Sequence, residues 1–367
     1  MTTKPLLLGS DIFGHTGRAS GHPLAWPKTA PTLDVIRSLD WFDPEQYLTG
    51  SKAFPRRLRA FHDQGYIDAA YDAEARQEVP PDIRLKYGLG SGDNPIFPGV
   101  IERAATACGV ALKAADLLMD GGVVHSPLGG AHHVHPARAA GFGYFNDLVL
   151  GILALRDAGL TRIAYIDLDA HHGDGVEAAF AFDRNVLTLS IHEENCWPFS
   201  GTESDPSYRV YNYCVPPAFN DSEMAHLVRH AICPIVEEFA PEAIVIQAGA
   251  DSLEDDLMMK LGLSNRAYFD TIDTLRHMAP RIWVTGGGGY NPWAVARCWA
   301  GIWCVLNDRD PGGAPAVAGE QGIIDGVLQW PTVCDPPENW LSTLADDPRP
   351  GDIRDCVKQA TKTLLHS

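Results

Sequence analysis

The chain lacks any apolar run of transmembrane length, any CxxC pair among its eight cysteines, any internal repeat and any low-complexity tract. The first absence argues against a membrane-spanning segment, and the opening MTTKPLLLGSDIFG turns polar too soon for a signal peptide. The second removes the usual structural-zinc and dithiol motifs, and a chain of 367 residues needs no disulfide staples, so a reducing cytoplasm is the expected compartment. Basic residues are scarce: 29 lysines and arginines face 47 aspartates and glutamates, a net charge of −18. That balance argues against nucleic-acid binding and suits a cationic partner or simple solubility.

What is present is 45% hydrophobic and 21% charged, the composition of a globular chain able to bury a large core. Helix-like stretches at 100–120 and 264–279, the latter behind an N-cap at Ser264, alternate with short β-branched runs. The pattern predicts an α/β fold, a single domain over 1–367 with a parallel sheet covered by helices on both faces. The Pro- and Asp-rich segment 331–367, with a helix over Cys356–Leu365, is expected to be a tail docked on that domain.

Four of those runs end in polar residues. Arg162–Leu168 alternates as a buried strand and leads into Asp169-Ala170-His171-His172-Gly173-Asp174. Side chains two apart on a strand leave the same face, so Asp167, Asp169 and, if the extended path continues, His171 point one way. Glu242–Gln247 leads to Gly249-Ala250-Asp251, Arg281–Thr285 to four glycines and Tyr290, and Val186–Ile191 to His192. In open α/β sheets ligands bind beyond the carboxyl ends of the strands. Two carboxylates and an imidazole are the ligand mix of a catalytic zinc or ferrous ion that keeps a position open for water. Upstream, GGAHH at 129–133 places two adjacent histidines in a glycine-rich loop. A neutral imidazole held by a carboxylate is a general base near neutral pH, and Asp167 and Asp174 are available to do the holding. Tyr290 is placed to donate to a developing oxyanion. Together these residues point to a metal hydrolase that attacks a carbonyl. His15, His22, His62 and His135 have no partner in the sequence and are read as surface or core histidines.

The set resembles the zinc-dependent histone deacetylase family of the arginase/deacetylase superfamily, and within it the bacterial acetoin-utilisation-type and class I-like lysine deacetylases. GGAHH at 129–133, GFGYFND at 141–147, YIDLDAHHGDGV at 165–176, GAD at 249–251 and GGGGYN at 286–291 carry the resemblance, in the family's order and across most of the chain. It implies an arginase/deacetylase-like fold, with Asp169, His171 and Asp251 as ligands of Zn2+, or of Fe2+ in the cell. It implies His133 with Asp174 as the proton carrier, His132 with Asp167 as electrostatic support, and Tyr290 as the oxyanion donor. Asp93, in YGLGSGDNPIF, is implied to hold the substrate backbone at the rim. Phe142 and Phe199 are implied as walls of a narrow tube, with Gly141 and Gly288 among the substrate-facing residues. Carbonyls near Asp167, Asp169 and His171, with Ser190, are implied as a K+ site. The implied partner is an acylated lysine in a protein or peptide.

Three departures stand out. Lys28 falls where the family carries an arginine near an internal acetate channel, Gly143 replaces a common cysteine, and the loop after Asp251 is unusually acidic. The first two raise the expectation of a pocket that admits acyl groups longer than acetyl. Among rival readings, a binuclear manganese ureohydrolase needs carboxylates where Gly173 and Leu253 stand. An acetylpolyamine amidohydrolase shares nearly the whole catalytic set, and the GGAHH form of the loop favours protein lysines over it. A non-catalytic acyl-lysine binder is disfavoured by the complete set of catalytic positions.

Overall fold

The computed structural model describes residues 4–14, 22–25, 28–313 and 336–365. His15, residues 331–335 and residues 366–367 of the expected tail lie outside the described residues.

One eight-stranded sheet, parallel throughout, organises the chain in the order β2-β1-β3-β8-β7-β4-β5-β6. The strands are β1 (Leu6–Gly9), β2 (Tyr47–Thr49), β3 (Gly122–Ser126), β4 (Ile163–Asp167), β5 (Val186–Glu193), β6 (Val210–Val215), β7 (Ala243–Gln247) and β8 (Arg281–Thr285). The central strands are apolar without interruption because both of their faces are covered. Along β4, Ala164 and Ile166 enter one core while Ile163 and Tyr165 enter another. Along β7 the split is Ile244 and Ile246 against Ala243 and Val245, and along β8 Ile282 and Val284 against Trp283. Period-two alternation therefore feeds two separate cores, one per face.

The helices that close those cores show the complementary spacing. Val100–Leu118 buries Ile101, Ala105, Cys108, Ala111, Ala115 and Leu118, a stripe three or four residues apart that packs with Asp147–Asp157 on one face. Pro292–Leu306 is buried along its whole length, because Thr29–Ser38 and Asn265–Leu275 pack against it from outside. The expected helix at 264–279 runs Asn265–Leu275; Ser264 sits at its N-cap, but its hydroxyl donates to Asp221 Oδ2 at 2.7 Å instead of capping the helix.

The described part of the tail lies against this body. Arg297, fully buried, donates to Asp346 Oδ1 at 2.5 Å and stacks 4.7 Å over the Trp340 ring. Arg354 grips Glu223 through two hydrogen bonds of 2.7 and 2.6 Å, just before the helix Asp355–Leu365. Among the described residues no helix is long and apolar enough to cross a membrane.

Candidate metal centre

Sheet order explains how residues 160 positions apart meet. Strands β3, β8, β7, β4 and β5 are consecutive neighbours, and the loops leaving their carboxyl ends carry the two histidines, the glycine run, Asp251 and the Asp169–Asp174 segment. Asp169, His171 and Asp251 converge, all buried, with one potential ligand atom from each within 4.8 Å of the others. His171 Nδ1 lies 3.1 Å from Asp169 Oδ1 and 3.0 Å from Asp251 Oδ2.

The surroundings hold the carboxylates in place. Asp169 Oδ2 accepts from Gln247 Nε2 at 2.7 Å and from the Gly288 amide at 2.8 Å, while Asp251 Oδ1 accepts from the Ala170 amide at 2.9 Å. A Cβ on Gly288 would fall 2.1 Å from Asp251 Oδ2, so only glycine lets this backbone approach. Burial pushes the Asp251 carboxyl up, and the charge of Asp169 beside it pushes further the same way. Burial also works against the His171 imidazolium, but its bonds to both carboxylates outweigh this and raise it to about 10. Two like charges out of water around a single imidazole form a site that a divalent cation stabilises, and two oxygens plus one nitrogen fit zinc or ferrous iron.

Beside this centre stand two histidine–aspartate dyads. His132 Nδ1 is 2.7 Å from Asp167 Oδ2, and that oxygen also accepts from Tyr165 Oη at 2.5 Å. His133 Nδ1 is 2.7 Å from Asp174 Oδ1. Burial disfavours both imidazolium forms. Asp167 and Asp169 reverse this for His132 and raise it to about 9; His133 is lowered to about 3 by burial and the neighbouring His132, against the pull of Asp174. His135, which the sequence left without a partner, lies 3.0 Å from the second Asp174 oxygen. His62 also has partners: its Nδ1 lies 3.2 Å from the Pro136 carbonyl, and its Nε2 accepts from the Asn146 amide at 3.0 Å. The GGAHH loop is pinned by Asp147, whose two oxygens accept from the Gly130 and Ala131 amides at 2.9 Å each.

Tyr290 is 6% exposed, its amide donating to Asp256 Oδ2 at 2.7 Å and its ring lying 5.9 Å from that of Phe142. Lys28 Nζ sits 4.8 Å from the centroid of the Tyr290 ring, and burial lowers its pKa against the pull of Asp251, Asp256 and Asp169. The acidity of the loop after Asp251 has an internal use. Asp256 accepts from the amides of Tyr290, Met258 and Met259, and Asp255 pairs with Arg349 of the tail at 3.1 Å.

The implied tube has one implied wall. Phe142, at a φ of 65°, packs between His22 and Tyr290. The aromatic facing His133, however, is Trp197, with ring centroids 4.4 Å apart; Phe199 is 74% exposed and turned outward. The loop carries left-handed backbone on either side of Trp197, at Asn195 (φ 57°) and Phe199 (φ 61°). Gly141 completes the tube, since a Cβ there would lie 2.2 Å from His133 and 2.9 Å from Trp197. Gly143 does not enlarge the pocket in the expected way. The space its side chain would take is filled by Val134 and Ala131, at 2.5 and 3.0 Å. Asp93 is exposed and borders an outer cleft of about 730 Å³ that also touches Arg84, Arg138, Gly141 and Trp197. Asp167 and Ser190 are register partners across β4 and β5.

Sequence reading missed Gln247, Asp147, Trp197 and Asp256. Gln247 was detectable as the polar last residue of an otherwise apolar buried strand. The other three depend on loop paths.

This constellation on a parallel α/β sheet defines a histone deacetylase family member, and comparison bears that out: residues 22–306 match the histone deacetylase domain model, so the chain belongs to that family. It is 34% identical over 307 residues to the acetoin utilization protein AcuC of Bacillus subtilis, covering 79% of each chain. It is 33% identical over 313 residues to histone deacetylase 9 of Arabidopsis thaliana, covering 83% of this chain and 72% of that one. The crystal structure of an HDAC homolog from Aquifex aeolicus superposes with a TM-score of 0.90 at 31% identity, over 99% of this chain and 100% of the other. An HDAC homolog solved in complex with SAHA gives 0.89 at the same identity.

Proposed function

We propose that this protein is a zinc-dependent lysine deacylase, an amidohydrolase that removes acetyl or longer acyl groups from lysine side chains of proteins or peptides. The observation that carries the reading is the cavity lined by Phe142, Tyr290 and His133 that reaches Asp169 and His171, two of the three residues that converge with Asp251. A slender aliphatic stem ending in an amide fits such a cavity, and a net charge of −18 favours a cationic carrier.

Asp169, His171 and Asp251 would hold the metal. When bound, zinc, or ferrous iron in its place, supplies Lewis acidity and brings the pKa of a coordinated water toward ~7. His133, with Nδ1 committed to Asp174, takes the water proton at Nε2 and passes one to the departing amine. His132 stays charged on Asp167 and supports the negative charge that builds on the carbonyl oxygen. Tyr290, which lines the same cavity, donates to that oxygen. Asp93 at the rim holds the peptide backbone, and K+ is proposed beside Asp167 and Ser190. The reading places the protein in the cytoplasm, without membrane or nucleic-acid partners.

The test is hydrolysis of acyl-lysine peptides and acetylated polyamines by metal-replete protein, with His133→Ala and Tyr290→Phe as controls. Peptide turnover that collapses in both variants supports the reading; turnover of polyamines alone makes the protein an acetylpolyamine amidohydrolase. Binding of acyl-lysine without any turnover would make it a binder instead of an enzyme.

A further inference from the structure

The cavity beneath the tube, about 230 Å³, continues past the metal centre to the helix Val100–Leu118. Val100, Arg103, Ala104 and Ala107 of that helix line it, one helical face by their spacing, and the two alanines are small.

Arg103 is the anomaly on that face. It is half-buried, its Nε is shielded from solvent without a hydrogen-bond partner, and no carboxylate among the described residues pairs with it. Several other enclosed arginines meet a carboxylate, Arg297 with Asp346 at 2.5 Å, Arg276 with Asp308 at 2.6 Å and Arg354 with Glu223 at 2.6 Å, and Arg281, whose Nε is likewise unpartnered, donates to the carbonyls of Glu242 and Met119 at 3.5 and 3.0 Å. Burial alone lowers the guanidinium's pKa, with no acidic neighbour to oppose it. In a chain with 47 acidic residues to 29 basic ones, an unmatched guanidinium facing a cavity leaves a desolvation cost that a ligand can offset. The planar fork of arginine matches a carboxylate.

We propose that the cavity accepts short acyl groups ending in a carboxylate, such as the succinyl or glutaryl amides of lysine, with Arg103 as the residue that selects them. The inference rests on the deacylase reading. Water oxygen bonds to the amide carbon, the carbon–nitrogen bond breaks, and the water proton carried by His133 ends on the lysine amine. The distal carboxylate keeps its charge throughout and takes no part in the bond changes.

The experiment compares kcat/KM of the full-length, metal-replete protein on succinyl-lysine and glutaryl-lysine peptides with that on their terminal-amide isosteres, alongside acetyl- and butyryl-lysine. The wild type is expected to favour carboxylate over amide by about tenfold or more, chiefly through KM. Arg103→Met should abolish that ratio and Arg103→Lys restore part of it. A readout independent of turnover is calorimetric binding of free glutarate, expected in the wild type and lost in Arg103→Met. If acetyl- and butyryl-lysine are hydrolysed but the carboxylate-to-amide ratio is near one, or does not respond to Arg103→Met, the inference is overturned and the deacylase reading stands. If no peptide is hydrolysed, the deacylase reading falls and this inference with it.

Discussion

Two histidines adjacent in sequence, each with Nδ1 2.7 Å from an aspartate and ring centroids 3.9 Å apart, sit at opposite ends of the imidazole range. His132 lies between Asp167 and Asp169 and is raised to about 9, whereas His133 sees the positive field of His132, shares Asp174 with His135 and is lowered to about 3. The dyad motif is the same in both. The difference comes from what surrounds it, and it supports the proposed division of a charged role for one ring and proton acceptance for the other.

Breaking that asymmetry starts with the base. His133→Ala should lower kcat/KM by about 10³-fold, within the span of a lost general base, as measured by steady-state deacylation. Equal losses in His132→Ala and His133→Ala would erase the distinction. Asp174→Asn should cost about 10²-fold, because the amide no longer fixes the His133 tautomer and releases His135 as well. His132→Ala should cost about tenfold, a supporting charge lost without the proton carrier.

His62 sharpens the comparison as a buried histidine with no carboxylate at all. Burial lowers it from 6.5 to about 4. Its folded-state pKa lies below its unfolded value, so its neutral form is fully compatible with folding above pH 6.5. Between 6.5 and about 4 the unfolded chain takes up a proton that the folded chain refuses. Stability should fall over that window by up to about 3 kcal/mol. Urea midpoints across pH, wild type against His62→Gln, check this; the variant should lose that part of the pH dependence.

Most of the sheet and the metal centre were legible because their signals are local. Arg281–Thr285 was bounded as the structure has it, and Arg162–Leu168 and Glu242–Gln247 within a residue at each end, since buried parallel strands read as uninterrupted apolar runs. Trp197 was not legible, because the path of an irregular loop brings it against His133, and left-handed backbone such as that at Asn195 and Phe199 leaves no periodic trace. Arg103 was hidden for a different reason. In a helix of otherwise suitable residues one arginine reads as a solvated position, and only the cavity behind it shows otherwise. Gly143 was visible as a missing side chain, but the compensating positions of Val134 and Ala131 were not.

The order of strands also sets when the site can exist. β3 and β4 never touch; β8 and β7, the last strands made, fill the gap between them. A chain emerging from the ribosome therefore holds two unjoined halves of a sheet, each with bare edges, until residue 285 has been synthesised. Because β7 pairs directly with β4, the elements carrying Asp169, His171 and Asp251 can meet before β8 is made, whereas Gly288, whose amide donates to Asp169, arrives only after it.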